Sequence, residues 1–221
     1  MPRAALFDVD GTLVDSNYLH VTAWWEALRQ SGHDVPAAVI HHAIGLGSTD
    51  LLDHVLGEHR DRDRDDTISK AHKTLYATHF ETLNPLPGAG DLLRALDNRG
   101  WRIGLVTSAD DRELAAMREA IDADDVIRDT ASSADVTRGK PAPDPLAHGM
   151  ELVGSDAAGT VFVGDSVWDM RAASRARVTA VALLSGGIPR AHLERAGARE
   201  VYEDPSDLLA HLDGSAFGRM S

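Results

Sequence analysis

Two aspartates near the start of the sequence are the first residues that could do chemistry together. Asp8 and Asp10 follow a short apolar run at residues 4–7 and precede Gly11. In an extended segment, side chains two residues apart lie on the same side, so both carboxylates can face one centre. Two like charges this close are costly without a cation or a shared proton. The pattern therefore predicts a site in preference to a solvated surface turn.

A second acidic pair follows another apolar run. Residues 160–163 lead into Gly164 and Asp165, and Asp169 comes four residues later. This spacing is compatible with one face of a turn that enters a helix, and carboxylate oxygens at strand ends suit Mg²⁺. Asp169 also has a simpler interpretation, because the dipole at a helix amino terminus favours an acidic residue.

Hydroxyl groups and a lysine complete the candidate chemistry. Thr107 and Ser108 end a third apolar run, where a hydroxyl can donate to a phosphate oxygen or simply cap a helix. Lys140 lies in the proline-rich segment 139–144, and it is one of only three lysines beside 19 arginines. A lysine in so stiff a turn suggests a need for a compact positive charge, and a surface lysine is the alternative.

The elements that must position these residues alternate along the chain. Short apolar runs without polar alternation are typical of strands buried on both faces. They occur at residues 4–7, 102–107, 126–127, 160–163 and 178–184. Helical patterns between the later runs occur at residues 89–98, 110–121, 143–153 and 169–175. The alternation predicts an α/β fold with a Rossmann-like parallel sheet, whose strand ends converge on one crevice.

One long segment departs from this alternation. Between the first and second runs, helical periodicity occurs at residues 17–31, 37–44, 48–58 and 67–82. We therefore expect an α/β core formed by residues 1–15 together with 87–221. We expect an inserted α-helical cap domain at residues 16–86.

The composition excludes several other classes of protein. The formal net charge of -13 argues against a nucleic-acid partner, which would favour a basic patch. The sequence has no cysteine, so disulfides, cysteine-bound zinc and thiol nucleophiles are excluded. No apolar window is long enough for a membrane span, and the first apolar run stops at Asp8, too early for a signal peptide. We expect a cytoplasmic protein without a membrane partner.

Taken in order, the four motifs resemble those of the haloacid dehalogenase superfamily. They are Asp-Val-Asp-Gly-Thr at 8–12, Thr-Ser at 107–108, Lys-Pro-Ala-Pro-Asp at 140–144 and Gly-Asp-Ser-Val-Trp-Asp at 164–169. The resemblance covers essentially the whole chain, including the helical cap, and looks like the branch of phosphoglycolate phosphatase and β-phosphoglucomutase. The true dehalogenases lack the second aspartate of the first motif, so Asp10 points away from hydrolysis of carbon–halogen bonds.

The resemblance implies a role for each matching residue. Asp8 would be the nucleophile that becomes an aspartyl phosphate, and Asp10 the general acid and then the base. Thr107 and Lys140 would complete the catalytic set by binding the transferring phosphoryl oxygens. The core residues assigned to phosphate or substrate are Gly11, Thr107, Ser108 and Lys140.

The same resemblance implies Mg²⁺ as the cofactor. Its ligands would be Asp8, the backbone carbonyl of Asp10, and Asp165. Asp169 would support the ion or its waters.

The cap is expected to select the substrate and to exclude water by closing. Segment 45–50 resembles the family's cap specificity loop, which assigns Ser48 and Thr49 to substrate binding. His20 and Trp24 stand where mutase-like relatives carry the same residue types. The sequence leaves His20 open between a site residue and a residue of the cap core, and it favours plain packing for Trp24.

The predicted function is hydrolysis of a small phosphorylated metabolite by a Mg²⁺-dependent phosphatase. The alternative within the same branch is a β-phosphoglucomutase-like sugar phosphomutase. Thr12 is the phosphatase-type residue, and no arginine between Arg29 and Arg60 is available to hold a second phosphate, so the mutase is disfavoured. The missing arginine also weakens phosphoglycolate as the substrate, although Lys70 and Lys73 could supply a cation.

A third hypothesis belongs to another class of protein. A catalytically silent regulatory module could bind phosphate or Mg²⁺ on the same fold. Such a module would be expected to have lost Asp8 or Asp10, and both are present. The sequence therefore favours the enzyme.

Overall fold

A six-stranded parallel sheet forms the centre of the part of the chain that the structure describes. The structure is a computed structural model that describes residues 2–132 and 135–220. The strands are β1 (Ala4–Phe7), β2 (Arg102–Val106), β3 (Ile127–Ala131), β4 (Thr160–Gly164), β5 (Thr179–Leu183) and β6 (Glu200–Tyr202). Their order is β3-β2-β1-β4-β5-β6, and every neighbouring pair is parallel. The predicted α/β fold with a parallel sheet is confirmed.

Helices cover the sheet and form the insertion. Four of them form the insertion after β1: α1 (Asn17–Gln30), α2 (Ala37–Ala43), α3 (Ser48–Leu56) and α4 (Asp65–Tyr76). The later helices are α5 (Ala89–Asn98), α6 (Asp111–Ile121), α7 (Asp144–Val153), α8 (Val167–Ala176), α9 (Arg190–Ala196), α10 (Pro205–Ala210) and α11 (Ala216–Arg219). The inserted α-helical part of the predicted fold is therefore confirmed. Among the described residues, no helix combines the length and apolar character needed to cross a membrane.

The central strand shows why short apolar runs become strands here. Ala4 and Leu6 face an apolar cluster that includes residues of α7 and α8, whereas Ala5 and Phe7 face a cluster that includes residues of α5 and α6. All four side chains of β1 are fully buried. Successive side chains of a strand point to opposite faces, so a strand covered on both sides needs an uninterrupted apolar run.

The register of the sheet brings three strand ends together. Phe7 pairs with Leu105 of β2 on one side and with Val163 of β4 on the other. The residues that follow these strands therefore lie at one edge of the sheet. Three of the predicted site residues, Asp8, Thr107 and Asp165, are found there.

The helical insertion has an apolar core of its own. Val21 and Trp24 of α1 are buried in it with Ile40 of α2, Leu51 of α3 and Ile68 of α4. This separate cluster lets the insertion pack as a unit beside the sheet.

The chain enters and leaves the insertion at adjacent points. Val14 forms an isolated bridge with Pro85, and the Asp15 amide donates to the Asn84 carbonyl at 3.0 Å. The predicted domain boundaries, at 15/16 and 86/87, fall next to this crossing, and the division into two domains stays a prediction.

Candidate active site

A buried lysine connects two of the predicted aspartates. The Lys140 ammonium lies 2.5 Å from Asp8 Oδ1 and 2.8 Å from Asp169 Oδ1. Lys140 itself is only 4% exposed, so the interpretation of a surface lysine is wrong. Burial alone would lower the pKa of Lys140, but the carboxylates of Asp169 and Asp8 raise it above its ordinary value. Burial raises the pKa of Asp8 well above its ordinary value, against the opposing effect of Lys140.

Asp165 is held by the loop that follows β1 and by the first residue of α1. It accepts hydrogen bonds from Thr12 Oγ1 at 2.9 Å and from Asn17 Nδ2 at 2.7 Å. Burial, and then the negative charge of Asp169, raise the pKa of Asp165 to about 7. Gly11 lies against the same carboxylate, because a Cβ there would stand 2.5 Å from Asp165 Oδ2. Its φ of +68° also favours glycine.

These residues fit a divalent cation. Ligand oxygens of Asp8, Asp165 and Asp169 lie within 4.8 Å of one another, and all three residues are buried. Three carboxylates against the one ammonium of Lys140 leave two negative charges, which a buried site does not tolerate without compensation. Closely spaced hard oxygen donors of this kind suit Mg²⁺ or a similar ion.

Asp169 also has the structural role that the sequence left open. Its Oδ2 accepts hydrogen bonds from the amide and the hydroxyl of Ser166, and the Ser166 hydroxyl accepts from the Asp169 amide. The two residues form a capping box at the start of α8. One oxygen of the Asp169 carboxylate thus caps the start of α8, and the other contacts Lys140.

Asp10 belongs to a different cluster. Its Oδ1 accepts a hydrogen bond from Ser16 Oγ at 2.5 Å and lies 3.0 Å from His20 Nε2. Burial would raise the pKa of Asp10, but His20 and then Ser16 hold it below its ordinary value. The expected use of the Asp10 backbone carbonyl as a metal ligand stays a prediction.

His20 lies beside the crevice and not in the core of the insertion alone. Besides Asp10, its Nε2 faces Glu113 Oε1 at 3.2 Å, and its Nδ1 lies 3.1 Å from His72 Nε2. The ring stacks on Tyr76 with centroids 3.7 Å apart. Burial alone would lower the pKa of His20, but Asp10 and Glu113 raise it to about 10, so its ring is protonated at neutral pH. Burial and the charge of His20 hold the pKa of His72 well below its ordinary value.

A cavity of about 720 Å³ lies between the sheet edge and the insertion. The predicted residues that line it are Asp8, Asp10, His20, Ser48, Thr49, Thr107, Ser108 and Lys140. Trp24 lines it as well, while it packs in the core of the insertion and stacks on His72 at 4.0 Å. Gly11, Asp165 and Asp169 are not among the lining residues that the structure describes.

Several cations reach the same cavity. Lys73 lines it and pairs with Asp110 at 2.9 Å, whereas Lys70 is exposed and is not among the described lining residues. Arg138 and Arg175 line it from the sheet side. Cations at this cavity therefore do not depend on an arginine in segment 45–50.

Some residues of the site were not found from the sequence. Glu113, His72 and Asn17 are buried and contact predicted site residues, yet none of them follows a strand or belongs to a recognised motif. Their positions depend on how helices pack, which spacing along the chain does not show.

Comparison with known proteins supports the resemblance. Residues 5–183 match the model of a family described as haloacid dehalogenase-like hydrolase. Phosphoglycolate phosphatase from Rhodospirillum rubrum is 31% identical over 218 residues, which cover 94% of this chain and 90% of that protein. The crystal structure of a hydrolase from Pseudomonas syringae is 36% identical, with a TM-score of 0.92, and the match covers 97% of this chain and 99% of that one. A putative β-phosphoglucomutase from Bacteroides vulgatus has a TM-score of 0.87 over 96% of this chain and 88% of its own, but at 19% identity it shows the fold alone.

The chain belongs to the haloacid dehalogenase-like hydrolase family, as its motifs predicted. Within that family it is a phosphatase enzyme, similar in sequence to phosphoglycolate phosphatase.

Proposed function

We propose that this phosphatase is Mg²⁺-dependent and hydrolyses a small phosphorylated metabolite through an aspartyl phosphate on Asp8. The observation that carries the proposal is the position of Asp8, buried against Lys140 and opening on a cavity also lined by Asp10 and Thr107. A nucleophile, a proton donor and phosphate-binding groups thereby surround one space. The regulatory hypothesis has no support from this arrangement, because no member of the reactive set has been replaced.

The reaction proceeds in two steps that restore the enzyme. In the first, an oxygen of Asp8 attacks phosphorus, the bond from phosphorus to the ester oxygen breaks, and Asp10 gives that oxygen a proton. Asp10 Oδ1 and His20 Nε2 lie 3.0 Å apart and share one proton. This pair can therefore supply the proton that the leaving alcohol takes up. In the second, water attacks the aspartyl phosphate, Asp10 takes up its proton, and the bond to Asp8 breaks to release phosphate.

Positive charge supports both steps. Lys140 and the Thr107 hydroxyl would hold the phosphoryl oxygens, on which negative charge is spread during transfer. Asp8, Asp165 and Asp169 would hold Mg²⁺, which when bound offsets charge on the phosphoryl group. Lys140 also reduces the repulsion between Asp8 and an incoming anion.

The size of the cavity favours a small substrate. A volume of about 720 Å³ suits a metabolite, and Ser48, Thr49 and Lys73 of the insertion would contact the part beyond the phosphate. The sequence argument against phosphoglycolate as the substrate is weakened, because Arg138 and Arg175 can bind the carboxylate of phosphoglycolate in place of an arginine in the cap. Phosphoglycolate is therefore a first candidate, as the similarity to phosphoglycolate phosphatase also suggests.

The test is a screen of phosphorylated metabolites with Mg²⁺ and with EDTA. The panel includes phosphoglycolate and β-glucose 1-phosphate, and both free phosphate and glucose 6-phosphate are measured. We expect Mg²⁺-dependent phosphate release that Asp8→Asn abolishes and that Asp66→Asn, at an aspartate 92% exposed, leaves unchanged. Formation of glucose 6-phosphate in place of free phosphate would favour the mutase hypothesis. Normal turnover by Asp8→Asn would contradict the assignment of Asp8 as the nucleophile.

A further inference from the structure

Glu113 is a buried carboxylate that no motif includes. It lies in the first turn of α6, and its side chain is only 11% exposed. Glutamate is rarely buried without a partner. A glutamate at this position of a helix commonly reaches back to the N-cap amide, but here the Asp110 side chain caps the helix by accepting from the amides of Arg112 and Glu113. The Glu113 carboxylate turns instead to His20 Nε2, at 3.2 Å.

Two carboxylates face the same nitrogen of His20. Asp10 Oδ1 lies 3.0 Å from Nε2, and Glu113 Oε1 lies 3.2 Å from it. This nitrogen carries one hydrogen, so the two carboxylates share a single donor. Glu113 accepts this hydrogen bond beside Asp10 and fixes the plane of the ring, so that the hydrogen can pass from Nε2 to Asp10 as Asp10 gives a proton to the leaving oxygen.

The other contacts of the ring come from the insertion. His72 faces Nδ1 at 3.1 Å, and Tyr76 stacks on the ring at 3.7 Å, both from α4. Glu113 lies on α6, which packs on the sheet. Its contact with His20 therefore joins the insertion to the sheet side at the point where Asp10 lies.

We infer that Glu113 is a positioning residue, whose carboxylate holds His20 in place so that Asp10 can transfer a proton to the leaving alcohol. The inference rests on the role proposed above for Asp10. Glu113 lines the cavity but does not need to touch the reacting atoms. The activity lost when Glu113 is replaced should therefore depend on how strongly the leaving group needs a proton from Asp10.

The test compares two leaving groups. Nitrophenolate departs from 4-nitrophenyl phosphate as a stable anion and needs no proton, whereas an alkyl phosphate needs one. Glu113→Met has similar length but no acceptor, and we expect kcat/KM to fall about 10- to 100-fold for phosphoglycolate, or for whichever alkyl phosphate of the panel is turned over fastest. For 4-nitrophenyl phosphate, kcat/KM should change by less than about threefold, because it reports only on steps up to departure of the leaving group.

Two variants separate positioning from a general structural effect. Glu113→Gln keeps an acceptor oxygen and should retain alkyl phosphate activity within about threefold of wild type. Glu119→Gln, at an exposed glutamate of the same helix, should match wild type with both substrates. Equal losses for both leaving groups in Glu113→Met, or no rescue by glutamine, would overturn the inference.

A double-mutant cycle tests whether Glu113 acts through His20. With His20→Gln already present, Glu113→Met should cost little further alkyl phosphate activity, whereas additive losses would overturn the inference. Asp10→Asn is measured beside these variants. If the activity lost in Asp10→Asn is the same for both leaving groups, the assignment of Asp10 as the general acid is wrong. If that loss depends on the leaving group but the loss in Glu113→Met does not, only the positioning role of Glu113 is wrong.

Discussion

Replacing Lys140 by methionine tests the charge balance of the acidic cluster. Methionine keeps the apolar stem but removes the ammonium that contacts Asp8 at 2.5 Å and Asp169 at 2.8 Å. Removing one partner of a buried ion pair costs about 3–5 kcal/mol, because the other partner is left uncompensated. In a chain of this length each kcal/mol lowers Tm by about 2–4 °C, so we expect a fall of about 6–20 °C.

The loss of stability should depend on pH. The raised pKa of Lys140 keeps the wild-type ammonium charged at both pH 5 and pH 8. Burial raises the pKa values of Asp8 and Asp165 above those of the unfolded chain, so these two carboxyls oppose folding increasingly as pH rises. Without Lys140 this effect grows, and protonation relieves it at low pH. The deficit in Tm should therefore be larger at pH 8 than at pH 5.

Differential scanning calorimetry of metal-free protein in EDTA measures this deficit. The control is Lys70→Met, because the Lys70 side chain is 79% exposed and lies 3.9 Å from Asp66. An exposed pair of this kind contributes about 0–1 kcal/mol, so this variant should melt within a few degrees of wild type. Saturating Mg²⁺ should reduce the deficit of Lys140→Met at pH 8. Equal melting temperatures of Lys140→Met and wild type at pH 8, or a larger deficit at pH 5, would refute the electrostatic reasoning.

Two further predictions concern the metal site. The pKa of Asp165 is raised to about 7, so below that pH a proton competes with the metal, and calorimetric titration should show Mg²⁺ binding about tenfold more weakly at pH 6 than at pH 8; equal affinity at the two pH values would contradict this. Gly11→Ala should lower Tm more than Gly32→Ala and should also weaken Mg²⁺ binding. Both glycines have positive φ, which costs about 1–2 kcal/mol for alanine, but a Cβ at Gly11 meets Asp165 and Asn17 whereas the space around Gly32 is open. The reasoning fails if the two variants melt together and bind Mg²⁺ alike.

The strands that carry the site could be predicted because each is buried on both faces. Such strands need continuous apolar runs, and the polar residues that follow them mark the edge where ligands bind. β6 (Glu200–Tyr202) was missed, since three partly buried residues at the edge of the sheet form no apolar run. The short helices α9 to α11, of seven residues or fewer, were missed as well.

The aspartates of the candidate site could be located from the sequence, but the residues that contact them could not. Asp8 and Asp165 lie next to strands, whereas Glu113 and His72 reach the site from helices whose packing the sequence pattern does not reveal. The interpretation of His20 stayed open for the same reason: a buried histidine beside a carboxylate and one within an apolar core have the same spacing on a helix. Only tertiary contacts separate the two.

The most direct measurement of the central claim is the site of phosphorylation during turnover. The enzyme is quenched while it turns over its best substrate with Mg²⁺, the acyl phosphate is reduced with borohydride, and the peptides are mapped by mass spectrometry. The mechanism predicts homoserine in place of the aspartate at position 8 and at no other position, and no such product in Asp8→Asn. Full turnover with Asp8 unmodified, or modification of a different residue, would contradict it.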